Sequence, residues 1–296
     1  MKKYKILIPL YNDWKSVVRL LENIDLQVIN WNVEVSVLIV NDASSDKQPE
    51  NLIEFKKIKS IQILNMKKNQ GHARCNAAGL KYLVEKEEFD YVILMDGDGE
   101  DRPEELNSIF NKSKENPLKT ITANRIKRSE GFIFKLLYVC HKILTYVFTG
   151  KLIKFGNYSC LPKSDAAKLV KESCIWSSFS GSVTKIIEDR SSIPSIRGER
   201  YFGPSQMKLF DLFIHSFSII AVFRKSVIIR SVLFLIIYLF LVFKNLSVIT
   251  LLPVVTILVF IFVILKISSR ENFEELSNSL ENIKSIESLG NFNSRQ

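Results

Sequence analysis

Between Leu246 and Leu265 the chain carries no charged residue. A helix of roughly 20 residues, rising 1.5 Å each, spans about 30 Å, the hydrocarbon thickness of a bilayer. This predicts a transmembrane helix over 246–265. A second apolar run, Ser231–Phe243, reaches the same length when extended back through Val227-Ile228-Ile229-Arg230, with Arg230 snorkelling to the interface. The two runs predict a transmembrane hairpin of about 227–243 and 246–265, inside a segment 227–267, turning at Lys244-Asn245. Pro253 is compatible with a membrane span, where neighbouring groups satisfy the freed carbonyl. Two core helices of a soluble domain fit poorly, because neither run has a polar face.

Arg224, Lys225 and Arg230 flank the hairpin on one side and Lys266 and Arg270 on the other, with only Lys244 at the tip. The positive-inside rule then puts both ends in the cytoplasm. The apolar run after Met1-Lys2-Lys3-Tyr4 is too short for a signal peptide, so the expected location is the inner membrane, multi-pass, with the large amino-terminal domain (1–205) cytoplasmic. Ahead of the hairpin, Met207–Phe217 has apolar residues at helical spacing, which predicts an interfacial juxtamembrane helix within 206–226. After it, Phe273, Leu276, Leu280 and Ile283 recur at steps of three and four, which predicts an amphipathic helix in a cytoplasmic tail, 268–296. A formal net charge of +10 suits either nucleic acid or an anionic membrane surface. With a hairpin present the membrane is the expected partner, and nucleic acid is not. A charged fraction of 24% with 11 Gly and 8 Pro excludes a disordered or collagenous chain. Cys75, Cys140, Cys160 and Cys174 include no C-x-x-C pair, so neither a zinc site nor a disulfide framework is indicated.

The first two hundred residues alternate strand and helix. Tyr4–Pro9, Val35–Val40, Ile61–Leu64 and Tyr91–Met95 are short apolar runs, and Trp14–Leu26 and Ala73–Val84 carry helical periodicity. The fold class is α/β with a mainly parallel sheet. In such folds ligands bind at the carboxyl ends of strands. Here the first, second and fourth strands end in Tyr11-Asn12-Asp13, Asn41-Asp42 and Asp96-Gly97-Asp98. Neither G-x-G-x-x-G nor G-x-x-x-x-G-K-[ST] occurs, which removes a dinucleotide-binding domain and a P-loop. Two aspartates separated by Gly97 at a strand end can approach a hard cation, Mg2+ or Mn2+, and leave coordination positions for a diphosphate. Alone, such a pair is a solvated turn or a helix cap as readily as a metal site.

The pair does not stand alone. Ile8-Pro9-Leu10-Tyr11-Asn12, Val40–Asp46, Asn69-Gln70-Gly71-His72-Ala73-Arg74 and Met95–Glu104 resemble, in order and spacing, the four signatures of family 2 glycosyltransferases. Arg200–Ser205, followed by the amphipathic segment and hairpin, resembles the branch of dolichyl-phosphate mannose synthases and bacterial polyprenyl-phosphate glucosyl transferases. The resemblance covers about 4–265 and implies a GT-A fold, Rossmann-like, as found in nucleotide-diphospho-sugar transferases. It further implies that Pro9, Tyr11, Asp13 and Asp42 hold the base and ribose of a UDP- or GDP-hexose, with Gly97 and Asp98 beside them. Asp96, Asp98 and Glu100 serve the metal and diphosphate, Arg125 and Arg200 grip phosphates, and Arg128 assists the lipid acceptor. Arg125 and Arg128 read equally as a solvated basic turn, and Asp42 as a helix cap.

Three departures from the family pattern bear on the donor: Asn41-Asp42-Ala43 where Asp-Asp-Gly is usual, Glu100 where Gln is common, and Gln206 where Lys is expected. The last removes a cation from the diphosphate clamp, and Lys208 is the candidate to replace it. The resemblance implies an inverting, metal-dependent hexosyltransferase acting on polyprenyl phosphate, with self-association left open. The alternatives are transfer to a sugar or lipid hydroxyl in cell-envelope polysaccharide synthesis, and an inactive nucleotide-binding membrane scaffold. Processive synthases with hydroxyl acceptors carry Q-x-x-R-W, a string absent here. The metal reading predicts that Asp98→Asn loses at least nine-tenths of transfer, roughly, in saturating Mg2+, with an unchanged circular dichroism spectrum. Turnover above that level would remove Asp98 from the metal site.

Overall fold

The computed structural model describes residues 1–49, 55–127, 132–204 and 209–289. Strands β1 (Lys3–Leu10), β2 (Glu34–Asn41) and β4 (Tyr91–Leu94) are buried along nearly their whole length. Both sheet faces are covered, so these strands are continuous apolar runs instead of alternating ones. With β3 (Ile58–Met66), β5 (Thr120–Lys127), β6 (Ser159–Pro162), β7 (Arg190–Ile196) and β8 (Ile283–Leu289) they form one eight-stranded sheet, ordered β7-β5-β6-β4-β1-β2-β3-β8. Neighbouring pairs β1/β2, β1/β4, β2/β3 and β5/β7 are parallel, while β6 and β8 run against their neighbours. This α/β architecture with a mainly parallel sheet agrees with the sequence expectation.

Helices α1 (Trp14–Val28) and α3 (Leu106–Glu115) cover one face. There Tyr4 stacks on Tyr91 at 4.8 Å between ring centroids and Trp31 on Phe110 at 4.1 Å. Helices α2 (His72–Lys86), α5 (Lys163–Leu169) and α6 (Phe179–Ile186) cover the other. The parallel register places Leu10 opposite Asn41 and Leu7 opposite Leu94, so the loops after β1, β2 and β4 open at one sheet edge. Their polar residues meet there because the strands share a direction.

The carboxyl-terminal part adds to the sequence expectation at two points and departs from it at a third. First, α4 (Phe132–Thr149), which the sequence reading did not single out, exposes Val139, Ile143, Tyr146 and Val147. It packs against α7 (Leu209–Ala221), α8 (Arg224–Val242) and α9 (Val248–Ser268), with Phe148 4.5 Å from Phe260. Second, Arg230 donates to the Val147 carbonyl at 3.1 Å, so its charge sits at the carboxyl end of α4, where the helix dipole favours a cation. Third, the helix expected over Phe273–Ile283 stops early. Helix α10 covers only Phe273–Ser277, a 3-10 turn follows over Ser279–Asn282, and the chain then becomes β8, antiparallel to β3. Leu276, Leu280 and Ile283 still pack on the α2 face. The apolar spacing is therefore satisfied by a turn and an edge strand, and pairing with β3 covers an otherwise open edge.

The segments Arg224–Asn245 and Val248–Ser277, which contain α8 and α9, are long and apolar enough to cross a membrane by length and composition. Phe240, Phe262 and Val248 are 75%, 67% and 80% exposed, the reverse of a core helix. Ser247 and Thr250 form a capping box at the start of α9, and Tyr238 ties α8 to α9 through the Thr250 carbonyl at 3.0 Å. The start expected near Met207 for the juxtamembrane helix, with Gln206 and Lys208, lies outside the described residues.

Gly79 sets how closely α2 approaches the sheet. A Cβ there would lie 2.5 Å from Leu7 and 2.7 Å from Val40, both fully buried. Overpacking of this kind costs about 1–3 kcal/mol, more than the roughly 1 kcal/mol alanine contributes to a helix. Gly79→Ala should lower the urea midpoint of the full chain in detergent. An unchanged or higher midpoint would mean that α2 has slack against the sheet.

Candidate active site

Arg200 is the hinge of the polar edge. It donates 2.6 Å hydrogen bonds to Asp98 through Nη1 and to Asp13 through Nη2, joining the loops after β1 and β4. The fork geometry of guanidinium suits two carboxylates that lysine could not span as well. Arg200 is held in place by backbone bonds from the Tyr201 amide to the Asp98 carbonyl, 2.9 Å, and from the Gly198 amide to the Glu100 carbonyl, 2.8 Å. Arg197 pairs with Glu100. Gly99 has φ +90°, and a Cβ on it would strike the Tyr201 ring at 2.5 Å. Gly97 lies against Val17 and the Pro9 carbonyl, where a Cβ would have 2.9 Å and 3.1 Å.

Asp96 accepts from Asn157 Nδ2 at 3.0 Å and pairs with His72 Nε2 at 3.0 Å. Burial alone would raise its carboxyl, but His72, Arg125 and Asn157 outweigh it and hold the group below the ordinary carboxylate range. Burial and the charge of Asp96 push Asp98 up, against Arg200, and burial also raises Glu100 against the pull of Arg197. Asp101 is pushed up to about 7 by burial and by Asp96. Its Oδ2 accepts from the Asp96 amide at 2.9 Å, and Arg125 lies 3.9 Å from its Oδ1. Burial is the largest cause of all three raised carboxyls, with Asp96 or Asp98 adding to it, so acidic groups crowd one partly buried strand end. The donors are hard oxygens, so a divalent cation fits this chemistry. Among the described residues no group of three or more His, Cys, Asp or Glu forms a ready cation cage. The acidic pair suits an ion shared with a ligand's phosphates.

The structure therefore brings together Asp13, Asp96, Gly97, Asp98, Glu100 and Arg200, with Arg125 beside Asp101. Pro9 is buried in β1, and Tyr11, 46% exposed, faces outward at the same edge. Asp42 is engaged differently. Its two oxygens accept from the Gln70 and Gly71 amides at 2.9 and 2.8 Å, so it fixes the loop entering α2, and its side chain is buried. Arg128 lies outside the described residues. His72, Asn157, Arg197 and Asp101 join the cluster without having been singled out. His72 stands within a recognised motif, whereas only the fold brings Asn157 and Arg197 in. From α7, His215 reaches the field of His72, Asp96, Arg125 and His141, and burial with His72 pushes its imidazole down to about 4.

Residues 5–174 match glycosyl transferase family 2. Among solved structures, glucosyl-3-phosphoglycerate synthase from Mycobacterium tuberculosis, in complex with Mn2+, UDP-glucose and phosphoglyceric acid, superposes with a TM-score of 0.54 at 11% identity, covering 76% of this chain and 80% of that one. Mannosyl-3-phosphoglycerate synthase from Rubrobacter xylanophilus gives 0.52 at 12% identity over 75% and 72%. TarS of S. aureus, residues 1–349, gives 0.50 at 15% over 78% and 68%. At these identities the likeness is one of fold. The sequence match spans more than half of the chain, and the chain belongs to glycosyl transferase family 2.

Proposed function

We propose that this nucleotide-sugar glycosyltransferase is a membrane-anchored, inverting hexosyltransferase that moves a hexose from a UDP- or GDP-sugar to a polyprenyl phosphate. The observation that supports the reading is that Arg200, bound to Asp98 and Asp13 at the acidic strand end, lies a few residues ahead of the first of the apolar carboxyl-terminal helices. Arg200 precedes α7 closely in the chain, and His215 of α7 stands in the field of His72, Asp96 and Arg125. An acceptor headgroup at the bilayer surface has a short path to the donor. The hairpin 227–267, with the juxtamembrane segment 206–226 ahead of it, is the anchor, with both ends in the cytoplasm.

Asp96 and Asp98, with Glu100 beside them, are the residues to hold Mg2+ or Mn2+, which supplies charge neutralisation for the donor diphosphate. Arg200 is already poised between Asp13 and Asp98 and can turn a nitrogen to a phosphate as those carboxylates are shared. Tyr11, Asp13 and the backbone near Pro9 offer the wall for base and ribose, and Asp42 contributes by fixing the Gln70-Gly71 loop. His72 and Asn157 keep Asp96 ionised and oriented. In the transfer, an acceptor phosphate oxygen bonds to the anomeric carbon from the face opposite the leaving diphosphate, and the bond from that carbon to the diphosphate oxygen breaks. The acceptor needs no base, because a phosphate monoester with a second pKa of about 6 is already ionised at neutral pH. Asp101, despite its raised carboxyl, is 5% exposed and tied to the Asp96 amide, so it serves the strand end and is not placed to take an acceptor proton.

Purified full-length protein given Mg2+, labelled UDP- or GDP-sugars and polyprenyl phosphate should carry label into organic solvent, while the corresponding polyprenol should not. Equal transfer to the alcohol would favour the hydroxyl-acceptor reading, and absence of transfer with every donor would favour a scaffold.

A further inference from the structure

The tail strand β8 does more than close the sheet edge. Glu287 accepts from Asn65 Nδ2 at 2.6 Å through Oε1 and from Gln48 Nε2 at 3.0 Å through Oε2. Ser285 accepts from the same Asn65 amide at 3.1 Å. With its nitrogen facing β8, Asn65 turns its oxygen toward Asn41, which donates to it at 2.8 Å. The Asn41 oxygen then accepts from the Ser44 amide at 3.1 Å. Ser44 Oγ accepts from the Asn12 amide at 2.9 Å, and Asn12 Oδ1 accepts from the Ser45 amide at 2.8 Å. The chain of bonds thus runs from the tail to the residue adjoining Asp13, and a second arm reaches Gln48 directly.

Those loops need holding. Asn12 and Ala43 have φ of 50° and 56°, a region that costs non-glycine residues roughly 1 kcal/mol or more. The direction of the bonds also dictates the residue at 41. A carboxylate acceptor at 287 orients Asn65 so that its oxygen faces position 41. That position must therefore donate, which asparagine does and aspartate cannot.

We propose that Glu287 is a positioning residue for the donor-binding loops, acting through Gln48 and through Asn65 and Asn41, so that the segment returning from the membrane hairpin tunes nucleotide affinity. This rests on the reading of that edge as the nucleotide site. In full-length protein, Glu287→Ala should raise donor KM and the Kd of the matching nucleoside diphosphate roughly threefold to tenfold. It should leave kcat within about twofold, and it should speed amide exchange at Asp42–Asp46. Asn41→Asp should show the same loss. Asn41→Asp combined with Glu287→Gln should recover most of it, because the new amide at 287 can donate to Asn65, which then turns its nitrogen to the aspartate. Unchanged exchange at 42–46 in Glu287→Ala would overturn the proposal whatever the enzyme's activity. So would a fall in kcat that tracks a lowered unfolding midpoint, or failure of the double variant to recover. If the wild-type chain binds neither UDP nor GDP, the reading of the site fails, and the exchange experiment still decides the role of Glu287.

Discussion

Four carboxylates at the end of one strand create the constraint around which the molecule is arranged. Burial, and after it the charge of Asp96 or Asp98, raises Asp98, Glu100 and Asp101, while Asp96 is held low by His72, Arg125 and Asn157, and like charges in a partly buried site cannot all stay ionised without cations. The fold supplies them from distant parts of the sequence: His72 from the start of α2, Arg125 from β5, and Arg197 and Arg200 from the segment leading toward the apolar helices. Arg200 links three things, since it neutralises Asp98, draws in Asp13 from the first loop, and fixes where the chain departs for α7. Arg200 is one of four cations at the site, and the one that also joins the first loop to the acidic strand end.

The same economy governs the far side of the sheet. After the two apolar helices the chain returns to the domain, where Leu276 enters the α2 core and β8 pairs with β3. Trp176 and Arg74 both reach Glu275, at 2.8 and 3.1 Å, so the return is fastened before the strand begins. The apolar pair is thereby tied to the domain at both ends, by α7 next to the acidic edge and by α10 and β8 next to the loops after β2 and β3.

Much of the architecture is legible in the sequence where burial is uniform. β1, β2 and β4 read as strands because both faces are covered, and each stops at polar residues that mark the sheet edge. α8 and α9 read as spanning helices because they are apolar on all sides. Features that depend on non-local pairing were not legible. The run Phe273–Ile283 has helical spacing, yet β3 offers an open edge whose pairing outweighs it. α4 resembles a core helix until its neighbours are known. The spacing of Asp42 within its motif does not disclose that the Gln70 and Gly71 amides occupy both oxygens, and Asn157 and Arg197 carry no local signal. Asn41, conspicuous as a departure from the family pattern, acquires a reason only through Asn65 and β8, while nothing in the structure explains alanine at 43, where φ is 56°.

On the proposed reading, the acidic strand end takes up a divalent cation together with a nucleoside diphosphate. Equilibrium titration of the full chain with UDP and GDP, in Mn2+ and again in EDTA, tests it most directly. One of the two nucleotides should bind at least about tenfold more tightly with Mn2+, equivalent to about 1.4 kcal/mol. Equal affinity in EDTA would contradict it and leave His72, Arg125, Arg197 and Arg200 as the whole of the site's positive charge.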